Sequence, residues 1–322
     1  MKKKLLILSI PFLFLFASCN KDKNQSPSSP TVRDTLSAGW KKINLIDSSG
    51  LADVFFINNT GYAVGSNIIY KSSDGGDNWT QLTAPSALGS FGLLSIGMGN
   101  EKNVIFVSTY HQLIATNNGG ESFVTNVIPD PSLSDVFFVD SSVAYAVGKS
   151  VWKTIDAGDN WIDVYDFAPT TGWSSLSFIN EQTGWISKQE GVYKTINAGS
   201  DWQRLNTDTI SPDQGGAIFF LNSDTGYFSN NTSIEKTVDG GGSWNKVFGC
   251  STSFYHDIHF VSANVGYITD GQRIFKTSDG GNSWTKVVAL ASSSNWLMEL
   301  HFTDANHGWA CGAKGTILKF NL

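Results

Sequence analysis

A pattern of eight residues returns six times along this chain, in the form [S/T]-x-[D/N]-x-G-x-x-[W/F]. The first copy runs from Ser72 to Trp79, and the others begin at Thr116, Thr154, Thr195, Thr237 and Thr277. Its third positions, Asp74, Asn118, Asp156, Asn197, Asp239 and Asp279, are spaced by 44, 38, 41, 42 and 40 residues. Self-similarity with a period near 41 limits a chain to stacked or radial arrays, because one such unit cannot bury its apolar face alone.

The residues between copies read as strands. Leu51–Ile57, Gly61–Gly65, Ile68–Lys71 and Trp79–Leu82 are short β-prone runs parted by Gly, Asn and Asp turns. Four such strands per repeat describe a propeller blade. Six units carry the motif. A seventh begins at Trp296–Phe302, continues through Gly308–Gly312 and Thr316–Lys319, and stops short of a fourth strand. Trp40–Leu45 matches the fourth strands in type, so it is expected to complete that blade and leave no open ring edge. The expected fold is all-β: a seven-bladed β-propeller of four-stranded blades over residues 40–322, its last blade closed by the N-terminal strand.

The motif has a structural job to do. A short Asp or Asn side chain accepts bonds from the N–H groups of its own turn, Gly supplies positive φ, and the aromatic buries a large surface beneath. A calcium loop needs several acids close together, and Asn replaces Asp here too freely for that. The copies resemble the Asp-box, or BNR repeat, of sialidase-like propellers. The longer unit, Gly61-Tyr62-Ala63-Val64-Gly65 with Ile69 to Gly76, is similar to the photosystem II assembly/stability factor family. That resemblance implies a seven-bladed propeller whose repeated hairpins sit at the rim, away from the central site. It implies much less about activity, because propellers host unrelated functions.

The N-terminus reads as an address. Lys2–Lys4 precede an apolar run, Leu5–Phe16, too short to span a bilayer comfortably. The run ends at Phe16-Ala17-Ser18-Cys19, which resembles a bacterial lipobox. Residues 1–18 are therefore expected to be a signal peptide and Cys19 the lipid attachment site. Residues 19–39, polar and Ser/Pro-rich, are expected to tether the propeller flexibly. This places the chain outside the cytoplasm on a bacterial membrane, expected to be the outer one, facing the periplasm or the surface.

Charge and composition remove several functions. Net charge is −6, and arginine occurs only at positions 33, 204 and 273, so no basic footprint for nucleic acid exists. The same scarcity argues against the arginine triad of sialidases, and against the arginine-rich patch of the photosystem family. Fold is carried over from that family here; its client is not. Three cysteines are too few for a disulfide framework, and neither a metal nor a cofactor motif is present. Cys311 stands where the first blade has Val64 and reads as a small buried hydrophobe; a Cys250–Cys311 bridge is the alternative.

Candidate function then falls to residues that do not repeat. Aligned first strands put Asp53, Ser95, Asp135, Ser175, Ala217, Asp257 and Glu299 in one column, expected to line the channel. The acids there would either form a ring attractive to cations or bond the backbone of neighbouring blades. His259 and His301 share a second column. The loops between blades and between strands two and three carry His111, Trp173, Lys188, Tyr255, His256, Asp270, Arg273 and Trp296, a mixture suited to a peptide or carbohydrate. The leading expectation is a monomeric, non-enzymatic binding or assembly scaffold in the cell envelope, presenting one propeller face to a protein or glycan. A sialidase-like glycoside hydrolase, a carbohydrate-binding propeller and a purely structural surface repeat are the alternatives.

Overall fold

The computed structural model describes residues 33–45, 49–85, 92–109, 112–167, 172, 174–205, 216–230, 232–249, 255–291 and 295–322. Their strands form seven antiparallel sheets. The first blade is Leu51–Ile57, Thr60–Gly65, Ile68–Ser72 and Thr80–Gln81, and each later repeat contributes its own sheet in the same order. The seventh runs Leu297–Phe302, His307–Gly312 and Thr316–Asn321, and takes Trp40–Asn44 as its fourth strand. Trp40 lies opposite Phe320 and Ile43 opposite Ile317, so the two chain ends are stitched within one blade, as expected.

Ordered structure starts earlier than residue 40, however. Thr35–Leu36 add a fifth strand to the outer edge of blade six, with Thr35 opposite Ala289 and Leu36 opposite Val288. Asp34 fastens this strand, accepting the Ala291 N–H at 2.9 Å and the Lys42 ammonium at 3.0 Å. The boundary drawn for a tether over 19–39 is corrected accordingly. A two-residue strand has no readable periodicity; it forms because an unpaired edge supplies the missing hydrogen-bond partners.

Blades stack through one recurring aromatic device. A ring from the second strand of one blade lies flat on the first-strand Phe of the next: Tyr145 on Phe178, Trp185 on Phe220, Tyr227 on Phe260 and Tyr267 on Phe302, at 3.6–4.3 Å between centroids. Trp309 on Phe56, at 3.7 Å, repeats the contact across the closure. The motif Trp meets the same Phe edge-on, as with Phe56–Trp79 at 5.5 Å; Phe302–Trp40, at 6.1 Å, shows Trp40 in the equivalent place. Gly precedes the stacking aromatic in blades four to seven, because a Cβ at Gly184, Gly226 or Gly266 would stand 2.5 Å from a Phe ring atom; blade three has Ala144 before Tyr145.

The six hairpins share one bonding pattern. The Ser or Thr hydroxyl donates to the Asp or Asn side chain, as in Thr237 to Asp239 at 2.7 Å. The motif Gly N–H donates back to that hydroxyl, and the residue four beyond the Asp donates its N–H to the carboxylate, as Ser243 does at 2.8 Å. Asn118 and Asn197 accept the same bonds from Ser122 and Asp201, both at 3.0 Å. Side-chain oxygens thus do most of the closing, and in blades one and six the motif indole adds a bond to the motif Gly carbonyl.

Candidate functional site

The first strand of each blade runs along the central axis, and its residues arrange the channel in layers. The outer layer holds the acids. Asp53 accepts the Ile96 N–H at 2.6 Å, Asp135 the Leu176 N–H at 2.8 Å, and Asp257 the Leu300 N–H at 2.9 Å. Each carboxylate therefore reaches the backbone of the following blade. Ser95 bridges to Asp135 at 2.7 Å, and Glu299 hydrogen-bonds Asp257. Burial raises all four carboxyl groups above their ordinary values, and mutual repulsion reinforces this for Asp53 and Glu299. The hydrogen bond between Glu299 and Asp257 raises Glu299 further and offsets part of the rise of Asp257. Among the described residues, no three His, Cys, Asp or Glu side chains are grouped to hold a metal ion.

Two residues further along come Phe55, Phe137, Phe219, His259 and His301. His301 bonds the Phe56 carbonyl at 2.8 Å, and its ring lies 5.4 Å from that of His259. Burial pushes His259 down to about 3 and His301 to about 4, so both imidazoles are neutral at pH 7.

On the loop face, four of the eight expected residues, His256, Asp270, Arg273 and Trp296, converge where blade six meets blade seven, while Tyr255 packs between blades five and six. Trp296 donates its Nε1–H to His256 Nε2 at 2.8 Å, which places the imidazole proton on Nδ1. The indole packs on the Asp270–Arg273 turn, so closely that a Cβ on Gly271 would lie 2.4 Å from it. Arg273 grips Asp270 through Nε at 2.7 Å and through a second guanidinium nitrogen, and stands 5.3 Å over the Phe275 ring. Tyr255 is buried against Phe248 at 5.7 Å. Burial holds His256 below the ordinary imidazole range, so it is an uncharged acceptor. The surface thus offers a half-buried indole, a neutral imidazole and a charge-balanced Asp–Arg pair. Such groups can stack on and hydrogen-bond to a ligand.

His111 and Trp173 lie outside the described residues, as do Cys19 and Cys250. Cys311 is fully buried in the core between blades one and seven and carries a free thiol.

A second constellation lies on this face at blades three and four; of it, sequence reading found Lys188 and missed Asp130. Asp130, buried, accepts N–H groups from Ser132, Lys149 and Ser150 at 2.8–3.0 Å and the Trp152 indole N–H at 3.2 Å, and these bonds hold it below the usual carboxylate range against the effect of burial. Lys188, 2% exposed, bonds the Gly148 carbonyl at 2.6 Å and lies 4.6 Å over the Phe167 ring. Burial lowers its ammonium from the ordinary value. The one available signal was an Asp between two prolines, Pro129-Asp130-Pro131. Beside it, a small cavity is lined by Leu94, Ser132, Leu133, Ser134 and Gly172.

No family model matches the chain. The photosystem II assembly lipoprotein Ycf48 of Prochlorococcus marinus is 28% identical over 247 residues, spanning 63% of this chain and 70% of that protein. The resemblance to the photosystem II assembly/stability factor family is thereby supported over that part of the chain. A solved Ycf48 bound to a D1 peptide superposes with a TM-score of 0.73 at 18% identity, covering 92% of this chain and all of that one. Virginiamycin B lyase from Staphylococcus aureus superposes equally well, at 0.73 and 14% identity, over 88% of this chain and 99% of that one. The architecture is therefore shared by binding proteins and enzymes alike, and the side chains on the faces must separate them.

Proposed function

We propose that this chain is an exported lipoprotein, anchored through Cys19 to a bacterial outer membrane, that works as a monomeric, non-enzymatic assembly scaffold. Its loop face holds an extended segment of an envelope protein. The observation that carries this reading is the convergence of His256, Asp270, Arg273 and Trp296 on one face, with the indole as anchor bonded to His256 and with Arg273 held by Asp270. Tryptophan and arginine are the residues that most often dominate binding surfaces. Asp53, Asp135 and Asp257 of the channel accept backbone N–H groups of the next blade, a structural use of these carboxylates that speaks against a glycosidase role for them. Similarity to an assembly lipoprotein, and to a propeller that holds a peptide, supports the same direction. The client differs from that of Ycf48 in this proposal, because only three arginines occur in the whole chain.

The decisive experiment is a cross-linking pull-down from envelope extract with wild type and with Trp296→Ala/His256→Ala, run beside a glycan array and a palmitate label. The proposal expects an envelope protein retained by wild type and lost by the double variant, with label that disappears in Cys19→Ala. A glycan hit followed by turnover, or label that survives Cys19→Ala, overturns it.

A further inference from the structure

The end of the propeller opposite the loop face carries its own asymmetry. At the second position of the repeated motif, blades one, two and six have Ser73, Asn117 and Ser278, whereas blades three, four and five have Ile155, Ile196 and Val238. These three branched side chains are 69%, 71% and 64% exposed. Every exposed large hydrophobic among the described residues, apart from Leu322, lies in blades two to five. The fold does not require them, since the same hairpin forms with Ser in blades one and six through the same bonds.

Charge at this end has one sign outward. The hairpins of blades three to five are bonded to the neighbouring turns through Ala157 to Ser142, Ala198 to Gln182 and Gly240 to Asp224, so both sets of turns form one surface. Asp140, Asp159, Glu181, Asp201, Asp224 and Asp239 project from it, all exposed. The lysines there are folded inward onto rings: Lys153 over Tyr145 at 5.2 Å, Lys194 over Trp185 at 4.9 Å and Lys236 over Tyr227 at 5.5 Å.

We infer that the hairpin end of blades three to five is a docking surface for a protein segment that is both basic and apolar, such as an amphipathic helix rich in Lys and Leu. Three isolated apolar tips set among carboxylates complement that chemistry: the tips bury aliphatic surface while the acids pair with ammonium groups. A bilayer fits less well. Anionic headgroups would be repelled, and the chain leaves the propeller from the opposite end, where Asp34 is fixed beside Ala291. The inference is independent of what the loop face holds.

The test uses the full chain and a fluorescent 18-residue Lys/Leu amphipathic peptide, with a Glu/Leu peptide of the same pattern as control, read by anisotropy at several salt concentrations. Wild type is expected to bind the basic peptide, more weakly as salt rises, and to ignore the acidic one. Ile155→Ser/Ile196→Ser/Val238→Ser is expected to weaken binding about tenfold or more, since each lost apolar contact contributes a fraction of a decade to several decades. Its thermal midpoint should stay near wild type, because Ser is native to the equivalent hairpins. Asp159→Lys/Asp224→Lys should weaken binding with the apolar tips intact. Absence of binding by wild type, equal binding of both peptides, or an unaltered affinity in the triple Ser variant overturns the inference. So does flotation of wild type, but not the triple variant, with phosphatidylcholine vesicles when the peptide fails to bind.

Discussion

The Trp309 indole of blade seven lies flat on the Phe56 ring of blade one, 3.7 Å between centroids and 9° between planes, and donates its Nε1–H to the Gly75 carbonyl at 3.0 Å. This contact spans 234 positions of sequence and joins the last repeat to the first. Trp309→Ala should destabilise the fold by about 3–5 kcal/mol, the range for truncating a large buried aromatic. Trp309→Phe keeps a ring on Phe56 but leaves the Gly75 carbonyl unpaired, and should cost only about 1–3 kcal/mol. Urea unfolding of the two variants separates these values; equal losses would mean that the stack contributes nothing beyond the hydrogen bond.

Gly184 and Gly266 should tolerate no side chain. A methyl at either position meets a Phe ring at 2.5 Å, and that ring is pinned by an aromatic from the preceding blade. Gly184→Ala and Gly266→Ala should each lose about 1–3 kcal/mol by overpacking. Pairing Gly184→Ala with Phe178→Leu should recover part of the loss, a coupling that a double-mutant cycle measures.

Much of this architecture was legible. The motif spacing set the number of complete repeats, and the likeness of Trp40 to the motif tryptophans identified the closing strand. The Phe-to-aromatic stack was also present in the repeats, as Gly-Tyr or Gly-Trp at the second strands of blades four to seven and Ala-Tyr in blade three, but its partner sits in another blade and no local pattern names it. The channel column was readable as a list of residues. Its carboxylates bond the next blade through oxygens whose direction depends on strand tilt, which no spacing reveals. Asp130 escaped because a single acid in a connection has no period, and Thr35–Leu36 escaped because two residues cannot show alternation.

Ala198 occupies the left-handed region at φ 59°, where blades one, two, five and six place a glycine. An L-residue there costs about 1–2 kcal/mol relative to right-handed backbone. Because the Ala198 side chain is only half-buried, Ala198→Gly should gain roughly 0.5–1 kcal/mol and raise the thermal midpoint by about 1–3 °C. Ala157, at φ 57°, is more deeply buried, and its glycine variant should gain less because a packed methyl is lost.

The channel acids predict an unusual pH response. Asp53, Asp257 and Glu299 have folded-state values above their ordinary 3.8 and 4.5, so the fold favours their protonated forms. Their contribution is fully present below those ordinary values and is lost as pH rises through the raised ones. His259 and His301 act in the opposite sense: lowered from 6.5 to about 3 and about 4, they contribute above pH 6.5 and lose that contribution as pH falls. The two effects overlap, so the total curve alone does not separate them. The stability difference between wild type and Asp257→Asn/Glu299→Gln does, and it should grow in favour of wild type as pH is lowered from 8 to 5. A difference that is constant with pH would show that these carboxyls titrate normally.

The N-terminal clasp should protect an edge more than it stabilises a core. Thr35–Leu36 occupy the outer edge of Thr285–Ala289, and Leu36 packs partly against the core shared by blades six and seven. Asp34 ties this segment both to Ala291 in blade six and to Lys42 in the closing strand of blade seven, so one carboxylate spans the seam. A chain beginning at residue 38 retains Trp40–Asn44 and should still fold cooperatively, but with the edge of blade six unpaired it should self-associate with increasing concentration in sedimentation velocity. A chain beginning at residue 46 lacks the fourth strand of blade seven and the Trp40 contacts with Tyr267, Phe302 and Phe320. It should lose the cooperative transition altogether, because the ring is then open where its two ends meet. If both truncations behave alike, the seam depends on the closing strand and the clasp adds nothing to it.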